Sequence, residues 1–187
     1  MKEKIIQQSI QLFGEKGFKE TSIQDIVDAL NVTKGTFYYY YKSKTELLMA
    51  IHLKYIDDLL RKQDEIIQDD AKMYKDKLHE MVYMLIHDIE KEGLSAKVFF
   101  REMRNLSEED MAEVVAKRDL FRVKIQQMLE AGIAAGEFRS DLPMDIVTFG
   151  ILGMTNWSYF WFDPNGRASD REVSDIFLKI VLEGLNK

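Results

Sequence analysis

Cysteine is absent from the 187 residues, which excludes disulfide staples, zinc–thiolate sites and thiol nucleophiles and makes a reducing cytoplasm the expected location. Proline occurs twice and glycine ten times, too few stops for a fold of many short strands, so an all-α chain is expected. The longest uncharged run, between Asp145 and Asp163, falls short of the roughly 20 residues a membrane helix requires. It also carries Gly150, Gly153, Thr155, Asn156 and Ser158. It reads as a buried interface helix, and no membrane partner is expected. The opening Met1-Lys2-Glu3-Lys4-Ile5-Ile6 lacks the apolar core and small-residue cleavage site of a secretion signal, so no export is expected. Of the three histidines, His79 and His87 are eight apart and miss the i, i+4 spacing of a helical metal pair. No serine-centred elbow or phosphate-binding glycine loop occurs either. No catalytic centre, metal or cofactor is expected.

Hydrophobic residues make up 46% and charged residues 31%, the balance of a globular protein with a substantial core. The net charge of −6 conceals an asymmetry. Residues 1–52 hold seven Lys against six Asp and Glu, a net of +1, and the remaining 135 residues carry −7. A near-neutral N-terminal module on an acidic body is compatible with DNA binding when the lysines share one face.

Helical periodicity places a first helix at 3–16, with Ile5, Ile6, Ile10, Leu12 and Phe13 on one side and Gly14 and Gly17 near its end. Ser22 and Asp25 have capping-box spacing before a short second helix, with Ile23, Ile26, Val27 and Leu30 as its apolar stripe. Asn31-Val32 predicts a tight turn, because Asn tolerates left-handed dihedrals, and Thr33 can cap a third helix to about Tyr40. Two short helices around a small turn read as a helix-turn-helix. Ser43-Lys-Thr-Glu46 opens a long fourth helix. Further helices are expected at 72–91, 95–105, 108–134, 143–162 and 170–185, with breaks at Gly93, Gly136 and Gly166.

Residues 17–47 couple Gly17-Phe18, Thr21-Ser22, Val32-Thr33-Lys34-Gly35-Thr36-Phe37-Tyr38 and Tyr41-Lys42-Ser43-Lys44, ending in Leu47. This segment resembles the TetR family of one-component regulators at every one of those spacings. The resemblance implies an all-α, Ω-shaped homodimer of about nine helices per chain, with a three-helix DNA-binding domain at 1–43 and a ligand-binding and dimerisation domain at 44–187. It also implies a double-stranded operator, pseudo-palindromic, as partner. A recognition helix must be narrow where it enters the groove, and Thr33-Lys34-Gly35-Thr36 supplies that. In the family, positions matching Tyr38 and Tyr40 reach phosphates, Tyr39 lies toward base edges or sugars, and Tyr41 packs inside with Phe37. Ser22 and Thr33 place helix N-termini where phosphates can sit, and Lys44 matches a phosphate contact.

The body from Phe99 onward is similar to the branch of the family that responds to acyl-coenzyme A thioesters. Gly153-Met-Thr-Asn-Trp157 and Trp161-Phe-Asp-Pro-Asn-Gly166 are its most specific elements. Phe162-Asp163 departs from the basic pair common there. An amphipathic effector is therefore expected, lined by Phe100, Met103, Arg104, Phe121, Phe149, Trp157 and Trp161. Trp157 and Trp161 could line a pocket or pack against the dimer mate. A sensor of aromatic cations, which would need buried carboxylates, and a regulator without a sensor are the alternatives. The helices near 143–162 and 170–185 are expected to form a four-helix interface through Gly150, Gly153, Ile176, Phe177, Ile180 and Val181.

Overall fold

The computed structural model describes residues 1–185, and among them every regular element is helical. Eight α-helices follow one another: α1 Lys2–Lys16, α2 Ile23–Ala29, α3 Lys34–Tyr40, α4 Lys44–Ile67, α5 Tyr74–Glu102, α6 Glu108–Ala134, α7 Met144–Trp161 and α8 Asp170–Leu185, with a 3-10 turn at Met103–Asn105 after α5. None of these helices is long and apolar enough to cross a membrane. The expected break at Gly93 does not occur: the segments predicted at 72–91 and 95–105 are one helix. A glycine inside a helix costs only about 1 kcal/mol relative to alanine, and the buried stripe of Ile86, Ala96, Val98 and Phe99 runs through it.

The chain divides into two compact units. The first combines residues 1–58 and 92–117: α1 to α3, the start of α4, the end of α5 and the start of α6. Its core is built from Ile5, Phe13, Ile26, Phe37, Leu47, Leu48, Ile51 and Phe99, all essentially inaccessible. Here α1 packs on α2 and α2 on α3. Gly14 lets α1 approach α5 closely, since a Cβ at that position would lie 2.8 Å from Leu94 Cδ2.

The second unit combines 59–91 and 118–187, and its helix ends are tied by long-range bonds. The Glu137 carboxylate accepts from the N–H groups of Tyr74 (3.0 Å) and Lys75 (2.9 Å), two of the otherwise open donors at the start of α5. Lys77, itself nearly inaccessible, donates from Nζ to the Ile67 carbonyl at the end of α4 (2.7 Å). Gly136, at φ 80°, closes α6 with paired bonds, Gly136 N–H to Ile133 O and Glu137 N–H to Gly132 O, both 2.9 Å. Ser169 and Glu172 form a complete capping box at the start of α8, and its bonds hold the Glu172 carboxyl below the usual range.

Gly132 supplies the tightest approach in this unit. A Cβ there would lie 2.5 Å from Phe138 Cδ2 and 3.0 Å from Tyr74 Cβ, whereas one at Gly150 meets nothing within 4 Å. Gly132→Ala is therefore expected to lose about 1–3 kcal/mol of stability despite alanine's better helix propensity. Gly150→Ala should leave the protomer's own packing intact, and thermal melts of the two variants against the parent check the contrast.

Candidate nucleic-acid interface

The N-terminal three helices present one surface, and local hydrogen bonding explains how. Ser22 caps α2: its Oγ accepts from the Asp25 N–H (3.1 Å), and the Asp25 carboxylate accepts from the Ser22 N–H (2.7 Å) and hydroxyl (2.6 Å). Those bonds, the hydroxyl's first, hold the Asp25 carboxyl below its ordinary range. The turn that follows places Asn31 at φ 52°, as its tolerance of left-handed backbone predicts. Bonds from Asn31 N–H to Asp28 O (3.1 Å) and Val32 N–H to Val27 O (3.0 Å) close it. Thr33 then caps α3, accepting from the Thr36 N–H at 3.3 Å.

Along α3 and its C-cap Tyr41 the four consecutive tyrosines part company, because successive residues on a helix are about 100° apart and the cap leaves the helix in extended backbone. Phe37 and Tyr41 are buried, their ring centroids 6.1 Å apart. Tyr38 is 53% and Tyr39 81% exposed. Tyr40 is half-buried and meets the Tyr39 ring edge-on at 4.9 Å. Thr33, Lys34 and Gly35 are exposed and Thr36 half-buried. The start of α3 is thus a narrow, positively charged edge with two outward phenols behind it. Gly35 is open to solvent, with only Thr33 Oγ1 near the place a Cβ would occupy (3.5 Å).

Lys44 shows a role that spacing alone did not suggest. Its Nζ donates to the carbonyls of Phe18 (2.7 Å) and Thr21 (2.6 Å) and lies 4.3 Å from the centre of the Phe18 ring. Burial lowers its pKa, opposed by the charges of Asp25 and Glu20. Inside the same loop the Thr21 hydroxyl donates to Gly17 O (2.9 Å), and Gly17 sits at φ 95°. Lys44 therefore staples the α1–α2 loop, which carries Ser22, to the start of α4. The partners are 23 and 26 residues away, so only the Gly17-Phe18 and Lys44 pattern taken together hints at it.

Phe100, Met103 and Arg104 belong to the first unit and Phe121, Phe149, Trp157 and Trp161 to the second. Phe100 and Met103 are half-buried; Arg104 is exposed and lines, with Lys16, Lys97 and Arg101, a polar cleft of about 400 Å³. Phe121 is buried. Phe149, Trp157 and Trp161 are exposed to 57%, 62% and 49% and face outward from α7. The Arg122 guanidinium lies 5.1 Å from the Phe149 ring centre. Among the described residues no group of three acidic or histidine side chains could hold a metal.

Comparison with known proteins fits this geometry. Residues 5–51 match the model of bacterial regulatory proteins of the tetR family, and residues 71–185 match that of the tetracyclin repressor-like C-terminal domain. The HTH-type transcriptional repressor KstR2 of Mycolicibacterium smegmatis is 27% identical over 188 residues, covering all of this chain and 91% of its own length. The structure of the ketosteroid transcriptional regulator KstR2 of Mycobacterium tuberculosis superposes with a TM-score of 0.88 at 24% identity, over 100% of this chain and 95% of that one. AibR in complex with isovaleryl coenzyme A and operator DNA does so with a TM-score of 0.85 at 23% identity, over 96% of each chain. At such identities the superpositions show the fold alone, whereas the domain models span both ends of the sequence. With its capped helix-turn-helix and its matching C-terminal body, the chain belongs to the TetR family of bacterial regulatory proteins.

Proposed function

We propose that this DNA-binding transcriptional regulator acts as a homodimeric repressor in the cytoplasm, released from a pseudo-palindromic operator by a small amphipathic molecule. The observation that carries the reading is the outward face of α3, where Thr33, Lys34, Gly35, Tyr38 and Tyr39 are exposed around a capped helix start. Such an edge enters a major groove with short side chains first, and a dimer places two of them one helical turn apart. Residues 1–43 are the reading head in this account and 44–187 carry dimerisation and sensing. Lys34 and Tyr39 are assigned to base edges, Tyr38, Tyr40 and the helix starts at Ser22 and Thr33 to phosphates. Lys44 is assigned to positioning, since its ammonium already serves two carbonyls.

The dimer reading rests on α7 and α8. Ile146, Phe149, Trp157 and Trp161 on α7 and Ile176 and Ile180 on α8 are all about half exposed or more. A Cβ built on Gly150, Gly153 or Gly184 meets open space. Between the two helices runs an apolar groove of about 350 Å³ with Val147, Ile151, Met154, Ile180 and Val181 along it. So much exposed aromatic and aliphatic surface marks an interaction face, and a two-fold mate covers it with the same residues. On this account Trp157 and Trp161 face the partner.

An acyl-coenzyme A thioester is the effector class favoured, supported by the body motifs and by the isovaleryl coenzyme A complex of AibR. The alternative of a cation sensor is disfavoured because Glu102 is the one buried carboxylate among the described residues, and it accepts a bond from Asn105 Nδ2 at 2.7 Å. Release requires the effector to bind better to a form of the dimer that does not fit the operator.

Three outcomes are expected. Lys34→Ala and Tyr39→Ala should weaken operator binding and relax its sequence preference, while Lys44→Ala should weaken binding on every sequence and leave the salt slope unchanged. A lysine that neutralised a phosphate would instead cost about 0.9 of that slope, so fluorescence anisotropy across a salt series separates the two roles. Ile180→Glu should yield a monomer in sedimentation and lose operator binding. Titrating the operator complex with acyl-coenzyme A thioesters of graded chain length beside cationic dyes should give release by the thioesters; release by dyes alone overturns that effector class, and release by neither favours a regulator without a sensor.

A further inference from the structure

His52 is fully buried on α4, two turns beyond Lys44, and neither DNA contact nor dimerisation uses it. Its Nδ1 lies 2.9 Å from the Leu48 carbonyl, one turn back on α4, and its Nε2 lies 3.2 Å from the Phe99 carbonyl on α5. The Phe99 ring stands 5.4 Å from the imidazole, with Tyr55 on it at 4.8 Å. All of these residues belong to the first compact unit.

A carbonyl oxygen only accepts, so each contact is a hydrogen bond only when that ring nitrogen carries hydrogen, and a neutral imidazole carries one. The neutral ring therefore satisfies one carbonyl and turns a lone pair on the other. The imidazolium satisfies both, one within α4 and one across to α5. Burial opposes the charge and lowers the pKa of the ring, while the two carbonyls and the carboxylate of Glu102, one turn along α5 from Phe99, favour it. Glu102 is itself held by Asn105.

We propose that His52 is a proton-operated latch between α4 and α5, closed when both ring nitrogens carry hydrogen, and that closing it favours the operator-binding pose of the DNA-binding unit. The proposal rests on the operator-binding reading above. It follows from placement: α4 begins at Lys44, whose bonds seat the loop carrying Ser22, and His52 seats the same helix on α5. His52 is a positioning residue, with no contact to DNA.

The latch makes operator affinity and stability respond to acid in opposite directions. The folded ring titrates below its ordinary value near 6.5, so the unfolded chain takes the proton first and His52 costs stability as pH falls through that value toward the folded one. Operator binding instead draws the proton in, and affinity rises. A histidine with only a structural role shows the loss of stability without the gain in affinity.

The test uses the full chain and a duplex selected by it from a random pool, with affinities measured by anisotropy between pH 8 and 5.5. Relative to His52→Gln, which keeps a donor that does not titrate, the wild-type affinity should climb as pH falls, by at most about tenfold per pH unit for one proton. His52→Phe, which keeps the ring volume without the bonds, should bind more weakly than wild type at low pH and show no climb. The ¹⁵N spectrum of labelled histidine should show the His52 imidazolium in the operator complex at pH 5.5. Parallel pH profiles for wild type and His52→Gln, or a neutral ring in that complex, overturn the latch while leaving operator binding intact. Failure of the wild type to enrich any duplex overturns the operator reading itself, and the latch with it.

Discussion

The bonds from Lys44 to the α1–α2 loop are the constraint on which the outward face of α3 depends. A loop of six residues, 17–22, joins α1 to α2, and of its carbonyls that of Ser22 already accepts from the Ile26 N–H of α2. The ammonium takes two of them, Phe18 and Thr21, and the Thr21 hydroxyl takes a third, Gly17. With the loop fixed, Ser22 is held where it can cap α2, and α2 in turn carries the Asn31 turn and the Thr33 cap of α3. The cost is a partly desolvated cation, visible as its lowered pKa. Two backbone acceptors and the face of the Phe18 ring offset part of the lost water.

Local chemistry was legible in the sequence because its signals lie within a few residues. Ser22 with Asp25, the left-handed Asn31 and the break at Gly136 all act over three to five positions, and each appears where spacing puts it. Ser43 behaves partly as expected: its Oγ accepts from the Glu46 N–H (3.0 Å), but the Glu46 carboxylate reaches back to the Lys42 N–H rather than to Ser43. Gly93 misled because a glycine's intrinsic cost is smaller than what continued burial on both sides of it gains. Lys44, His52, Gln63 and Glu137 were out of reach for a different reason. Their partners are Thr21, Phe99, Phe121 and Tyr74, and nothing in a side chain's type announces which distant carbonyl or amide it will meet.

The third level, the assignment of outer faces, required burial to be read residue by residue along α7. The sequence there is apolar all round, which fits a core helix, a pocket wall or an interface equally. Its inward stripe turns out to be Met144, Thr148, Ile151, Thr155 and Ser158. The three hydroxyls donate to carbonyls one turn back within α7, at Met144 (2.6 Å), Ile151 (3.0 Å) and Met154 (3.0 Å), so they are buried without asking anything of neighbouring helices. Its outward stripe holds Ile146, Phe149, Trp157, Phe160 and Trp161. A helix that spends small, self-satisfied polar residues on its own core and keeps its largest apolar ones for the outside has inverted the usual order. A pocket wall would have its aromatics facing in. The inversion is stable in water only if a second surface covers that face, and a two-fold mate is the one partner guaranteed to be present at the concentration of the chain itself.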